Sequence, residues 1–359
     1  MGAEYYYDIH GVKIKVKIEK QSGYRNKLLR GILSSLEYFR EATQDEDADI
    51  TFTDEVFQVK ESYEFGEGYY YGRTFLYSTF SGACYERRDE RYIIHLHPHS
   101  KLVNFNLIIW LQLLKKGLTF VHAAGLERNG KAMLFPAWGG VGKTSLTITA
   151  LSHGSKSNWK LLSDDMPILS KEGVVYCYPM PFMVYFYHIP LFREYFAKHF
   201  KEKMKLTLTE KIKPLSHFSL LRRLLRKLGI YQDCIPVPVK DVLPKEKISI
   251  KASLSRIYVL TRSASSKLRI ESMHKEHVIR HFYNLWCYSV VEDPLCLADI
   301  VAASTCGVFD FHDALNEFKQ ILERALSGAE CYKVVIPLTF DPCRVFEYIE
   351  SHLNTSERV

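Results

Sequence analysis

The sequence predicts an α/β fold in which a mixed sheet forms the main core and a smaller α+β module precedes it. Three observations carry that prediction. The apolar run Ala132-Met133-Leu134-Phe135 leads into the glycine loop Trp138-Gly139-Gly140-Val141-Gly142, and a helix-compatible stretch then runs from Lys143 to Leu151, the order strand, loop, helix. Just ahead of that run, Arg128-Asn129-Gly130-Lys131 is a tight-turn signal, because Asn and Gly tolerate the positive φ that two-residue hairpins need. The strand feeding the loop is therefore expected to be antiparallel to its predecessor, which makes the sheet mixed. Far from the loop, Val12-Lys13-Ile14-Lys15-Val16-Lys17-Ile18 alternates strictly, as a half-exposed strand does.

The elements follow in chain order. Residues 1–104 read as the α+β module: the strand at 12–18, a helical pattern over 24–40, and strands at Ala48–Phe52 and Tyr92–Leu96, with Gly66, Gly68 and Gly82 marking turns. His95, His97 and His99 alternate, so the first two could share a metal on one strand face, and a rim of exposed polar residues is the simpler reading. Residues 105–359 read as the core. Leu107–Leu114 is a buried helix, too short to span a bilayer. Thr119–Leu126 is a strand carrying His122, and Leu161-Leu162 ends in Ser163-Asp164-Asp165. Arg256–Arg262 is a core strand with an arginine at each end, either of which could offset phosphate charge or serve a structural pair. Met273–Trp286 and Phe311–Ser327 are helices, and Tyr332–Pro337 is a late strand. The last helix begins at Asp341-Pro342, with Asp as N-cap and Pro at the first helical position, and runs through Leu353.

The loop carries the chemistry. Glycines let consecutive backbone N–H groups point at a phosphate chain, and the following helix adds its positive dipole end. The candidate nucleotide-binding residues are Trp138, Gly139, Gly140, Val141, Gly142, Lys143, Thr144 and Ser145, with Lys143 reaching the terminal phosphates and the Thr144 hydroxyl ligating Mg²⁺. The pattern's first position is Ala137 rather than glycine. Two adjacent carboxylates beside a metal can divide the tasks of metal ligand and proton acceptor. The competing structural readings are a ligand-free turn for the loop, a cap for Asp164-Asp165 and a core histidine for His122.

Val121-His122-Ala123-Ala124, the loop at 137–144 and Leu161-Leu162-Ser163-Asp164-Asp165 together resemble the HPr kinase/phosphorylase family, whose core is similar to that of phosphoenolpyruvate carboxykinase. The resemblance covers residues 105–350 and is sharpest over 118–170; it extends to Tyr178-Pro179-Met180-Pro181 and Ser255–Leu260. The glycine-rich signature that follows the aspartates in bacterial HPr kinases is missing, so the chain looks more like the broad set of HPr-kinase-like serine kinases. The resemblance implies Asp164 as catalytic base, Asp165 as Mg²⁺ ligand, and His122 and Lys143 beside the phosphates of ATP.

The 359 residues suggest two domains or a core with attached modules, and 47% apolar with 25% charged residues is ordinary for a globular protein. No signal peptide is visible. Eight cysteines without a C-x-x-C pair, beside an NTP-binding loop, favour a reducing cytoplasm. From Arg193 to Ile230 eleven Lys or Arg stand against three Glu, an excess of eight that exceeds the net +7 of the whole chain. Within this basic insertion Arg222, Arg223, Arg226 and Lys227 line one face of an amphipathic helix. They suit an acidic acceptor or form a solvated face; nucleic acid is disfavoured because no aromatic residues interleave with them. The expected activity is ATP-dependent phosphorylation of a serine-type hydroxyl on a protein, peptide or metabolite, with a homo-oligomer compatible and no membrane partner. The alternatives are a non-catalytic ATP sensor and a carboxykinase-like enzyme.

Overall fold

The computed structural model describes residues 2–18, 27–41, 47–58, 62–64, 66, 68–97, 105–153, 158–213, 231–291, 294–339 and 341–356. Packing divides the chain into two compact units, residues 1–120 with 170–172 and 279–325, and residues 121–169 with 173–278 and 326–359. The division falls elsewhere than residue 104. The helix Phe105–Lys115 and the segment 279–325 join the N-terminal sheet, for a physical reason. A sheet with one apolar face needs a cover, and Leu107–Leu114, buried at every position, needs apolar neighbours all round. Trp110 meets Trp286 with ring centroids 4.9 Å apart and Phe318 at 5.9 Å.

The first unit's nine-stranded sheet runs in the order Arg40–Glu41, Ala3–Ile9, Val12–Ile18, Ile50–Thr53, Arg91–Leu96, Ala83–Arg88, Phe75–Ser78, Tyr69–Tyr71, Tyr63–Glu64. Ile50–Thr53 is parallel to both neighbours. The alternation at 12–18 is realised, with Val12, Ile14 and Val16 buried. One charged side chain lies deep in this unit. Asp299, on the helix Pro294–Thr305, is 4% exposed and accepts from Tyr69 Oη at 3.1 Å, Ser78 Oγ at 2.7 Å and Tyr85 Oη at 3.0 Å. His95 Nε2 stands 3.1 Å from Glu86. Among the described residues no three of His, Cys, Asp or Glu are placed to hold a metal; His99 lies outside them.

The second unit is built on a mixed sheet, as the turn signal requires. Ala123–Arg128 and Lys131–Pro136 pair antiparallel, from Arg128 opposite Lys131 to Ala123 opposite Pro136, and Asn129 and Gly130 turn the corner at φ 54° and 77°. Lys160–Ser163 is antiparallel to the other edge of Ala123–Arg128. Lys131–Pro136 then lies parallel to the long strand Lys251–Ser263, which is parallel to Glu330–Pro337. The expected continuous strand at 119–126 is broken at Val121-His122, because the amides of Val121 and Ala123 donate to the carbonyls of Pro167 and Asp165. The helices Lys143–His153 and Pro342–Ser356 pack together, burying Leu146, Val345, Phe346 and Ile349. The Cys343 amide donates to Asp341 Oδ1 at 2.8 Å, the expected cap.

The basic insertion connects the two strands of an antiparallel ribbon, Phe182–Tyr185 and Cys234–Val237. Its first half forms the helices Arg193–Lys198 and Phe200–Ile212. Arg222, Arg223, Arg226 and Lys227 lie outside the described residues. Among the described residues no helix is long and apolar enough to cross a membrane.

Candidate functional site

The strands Lys131–Pro136, Lys160–Ser163, Lys251–Ser263 and Glu330–Pro337 all point the same way, and Ala123–Arg128 points oppositely. Four carboxyl ends and one amino end therefore meet along one edge of the sheet. Open α/β sheets bind ligands at such an edge. His122, the loop at 137–142, Asp164-Asp165, Arg262 and Leu338 all sit there.

The loop is shaped for something other than its own chain. Gly140 and Gly142 have φ of 77° and 119°, which side-chain-bearing residues rarely adopt. Gly139 has no such need, yet a Cβ there would meet nothing within 4 Å. Its smallness leaves the backbone open on that side. The Leu146 amide bonds to the Gly142 carbonyl at 3.0 Å, so the helix begins directly beneath the loop. Trp138 is 40% exposed, Val141 is packed partly against the core, and Ser145 is buried in the helix's first turn.

The titratable groups converge. Lys143 Nζ donates to His122 Nε2 at 2.8 Å and to the Ala137 carbonyl at 2.8 Å. Asp165 Oδ1 is 3.6 Å from both Lys143 Nζ and His122 Nε2. Burial lowers the pKa of His122, with Asp165 opposing and Lys143 reinforcing, so the ring is a neutral acceptor for the ammonium. Burial likewise lowers Lys143, against the pull of both aspartates. On the other side of the pair, Thr144 Oγ1 donates to Asp164 Oδ2 at 2.7 Å. Asp164 is 5% exposed, and its Oδ1 is buried without a hydrogen-bond partner. Burial pushes its carboxyl up to about 6; the Thr144 bond opposes the rise and the charge of Asp165 adds to it.

Every residue expected in the site thus lies at one sheet edge, but one pairing differs. The Thr144 hydroxyl, expected to share a metal with Asp165, bonds Asp164 instead. The reason is direction: the strand end turns the Asp164 side chain inward against the helix start, while Asp165 is 43% exposed. The arginines also separate. Arg256 is buried and pairs with Glu330 at 2.6 Å, a structural contact set by their opposite positions in the parallel ladder. Arg262 instead donates to the Val141 carbonyl at 3.2 Å and the Leu338 carbonyl at 2.8 Å, clasping the glycine loop. Sequence parity could not choose between them, since positions six apart on a strand share a face.

These residues fit a magnesium-bound triphosphate. Mg²⁺ takes one or two carboxylates and completes its shell with phosphate oxygens and water. Thr144 and Asp164, with its unpartnered buried Oδ1, offer such a donor pair beside an open backbone cradle. Compared with known proteins, the chain matches no family model and no curated protein sequence.

Proposed function

We propose that the protein is an ATP-dependent kinase of the HPr-kinase-like kind, transferring the γ-phosphoryl group to a serine-type hydroxyl. The observation that supports it most is the buried Asp164 carboxylate, bonded to Thr144 through Oδ2 and with Oδ1 unpartnered, beside an open glycine loop. The loop amides and Lys143 hold the phosphates. Thr144 and Asp164 hold Mg²⁺, which neutralises phosphate charge when bound. Asp165, exposed beside Lys143 and His122, faces the acceptor. As the acceptor oxygen bonds to the γ-phosphorus, the bond from phosphorus to the bridging oxygen of ADP breaks, and the hydroxyl proton passes to Asp165. Neutral His122 keeps the Lys143 ammonium in place. This assignment exchanges the roles that the resemblance implies for the two aspartates.

Calorimetry and single-turnover transfer to serine-bearing acceptors test it. Lys143→Ala abolishes or strongly weakens Mg-ATP binding. Asp165→Asn keeps Mg²⁺-dependent ATP binding and loses roughly 10²–10⁴-fold in transfer, the usual worth of a general base. Asp164→Asn loses the Mg²⁺ dependence of binding. Full transfer by Asp165→Asn sinks the base assignment, and Mg-ATP binding by the wild type without transfer to any serine-bearing acceptor moves the reading to a sensor.

A further inference from the structure

One face of the first unit's sheet carries a row of side chains aligned across five strands. Thr53 stands opposite His95, His95 opposite Cys84, Cys84 opposite Tyr77, and Tyr77 opposite Tyr70. Their neighbours Ser78 and Tyr85 point to the other face, where they bond Asp299. Beyond Thr53 the chain crosses this row. The Phe57 ring lies 4.9 Å from the rings of both His95 and Phe75, and Glu55 reaches Lys17 at 3.2 Å. The crossing encloses a cavity of about 240 Å³ whose walls include Val56, Phe57, Tyr77, Cys84, His95 and Leu96. Folded proteins keep few voids larger than a water molecule, so a hollow of this size needs a reason.

Its walls are held in place, and they are chemically mild. His95 Nε2 faces Glu86 at 3.1 Å and Nδ1 faces the Glu55 carbonyl at 3.4 Å, while Arg88 holds Glu86 at 2.7 Å. With both nitrogens engaged, His95 has its ring to offer. Cys84 is 1% exposed. Burial pushes its thiol far above the ordinary range and the charge of Glu86 adds to the rise, so the sulfur is a neutral, polarisable wall and not a nucleophile. Among the described residues no three side chains are placed to hold a metal, so the lining does not make a metal site.

Size then selects the ligand. A dry cavity of about 150 Å³ takes benzene. Drug-sized ligands occupy pockets of roughly 300–1,000 Å³. The volume here lies between the two and suits one flat molecule slightly larger than benzene. Phe57, Tyr77 and His95 supply rings for it to contact, and rings fixed in advance lose little freedom on binding.

We infer that this cavity is a binding site for a small neutral aromatic molecule of one or two fused rings, seated against Cys84, Phe57 and Tyr77. The site lies within the first unit and does not depend on the phosphate-loop reading.

The test measures the binding of indole to the full chain by calorimetry, with cyclohexanol as a compact ring that is not flat. The wild type should bind indole saturably and cyclohexanol roughly tenfold more weakly, the worth of an aromatic contact. Cys84→Met, which fills the floor, and Phe57→Ala, which removes a wall, should each weaken indole binding roughly tenfold. Indole should also slow the modification of Cys84 by methyl methanethiosulfonate, read by peptide mass spectrometry, and leave that of the half-buried Cys306 unchanged. That readout needs no variant to fold. No saturable binding of indole, equal affinity for the two probes, or Cys84 as reactive with indole as without it overturns the site. So does indole binding undiminished in both variants.

Discussion

Asp299 and Asp164 are buried to nearly the same degree, 4% and 5% exposed, in different units of the chain, yet they are solvated differently. Three hydroxyls converge on Asp299 and use both of its oxygens. Burial and the Asp299 charge push the Tyr69 hydroxyl up to about 12, so it stays a donor throughout the working pH range. Asp164 accepts the Thr144 hydroxyl on Oδ2, the Thr147 hydroxyl adds a lesser stabilisation of its charge, and Oδ1 makes no hydrogen bond. A buried carboxylate is costly unless hydrogen bonds replace its water. The first unit meets that cost from its own side chains. The second meets it only in part beside a glycine loop, and such an incomplete site is where a ligand has the most to add.

Asp299→Ala leaves three buried hydroxyls without their acceptor and should cost about 3–5 kcal/mol in urea unfolding. Asp164→Asn keeps an acceptor for Thr144 and removes a poorly solvated charge, so its stability at neutral pH should equal or exceed the wild type's. A large loss from Asp164→Asn and none from Asp299→Ala would reverse the contrast.

The Asp164 carboxyl goes from the ordinary 3.8 to about 6 on folding. The folded protein then binds the proton more tightly than the unfolded chain, so this group favours folding fully below pH 4 and the benefit is lost as pH rises through 6. Magnesium-free wild type should lose on the order of 2–3 kcal/mol across that window relative to Asp164→Asn. Parallel stability curves for the two proteins would deny the raised carboxyl.

The smallest effects separate the arginines. Arg256→Gln should cost about 1 kcal/mol of stability, since Glu330 is half exposed, and leave ATP binding unchanged. Arg262→Gln should leave the melting temperature unchanged and weaken Mg-ATP binding by roughly tenfold, the worth of a charge-assisted contact. Identical behaviour of the two variants would remove the distinction.

Local signals in the sequence carry over well. The Asn129-Gly130 turn, the alternation at 12–18, the buried helix at 107–114 and the Asp341 cap each depend on neighbours within a few residues, and each is present. The glycine loop and the aspartate pair were legible for the same reason. What the sequence hid depends on partners far along the chain. Nothing near Arg256 announces Glu330, and nothing near Thr144 says which of two adjacent aspartates turns inward. The break at His122 comes from the carbonyls of Asp165 and Pro167, and no periodicity in 119–126 encodes it. The Tyr185–Tyr187 stack was also hidden; the aromatic run Tyr185-Phe186-Tyr187 after an apolar strand was its only sequence signal.

The two-residue turn at Asn129-Gly130 has a consequence for the order of assembly. It joins the strand after His122 to the strand entering the loop, and the strand ending at Ser163 is the next in sequence and pairs with the first, so His122, Lys143, Thr144 and both aspartates come from residues 121–165 alone. Short loops close early and distant contacts close late. This part of the candidate site can therefore form from a local hairpin and one helical crossover before the long strand carrying Arg262 docks beside it, and pulse-labelled amide exchange during refolding should find the amides of 124–134 protected ahead of those of 256–262.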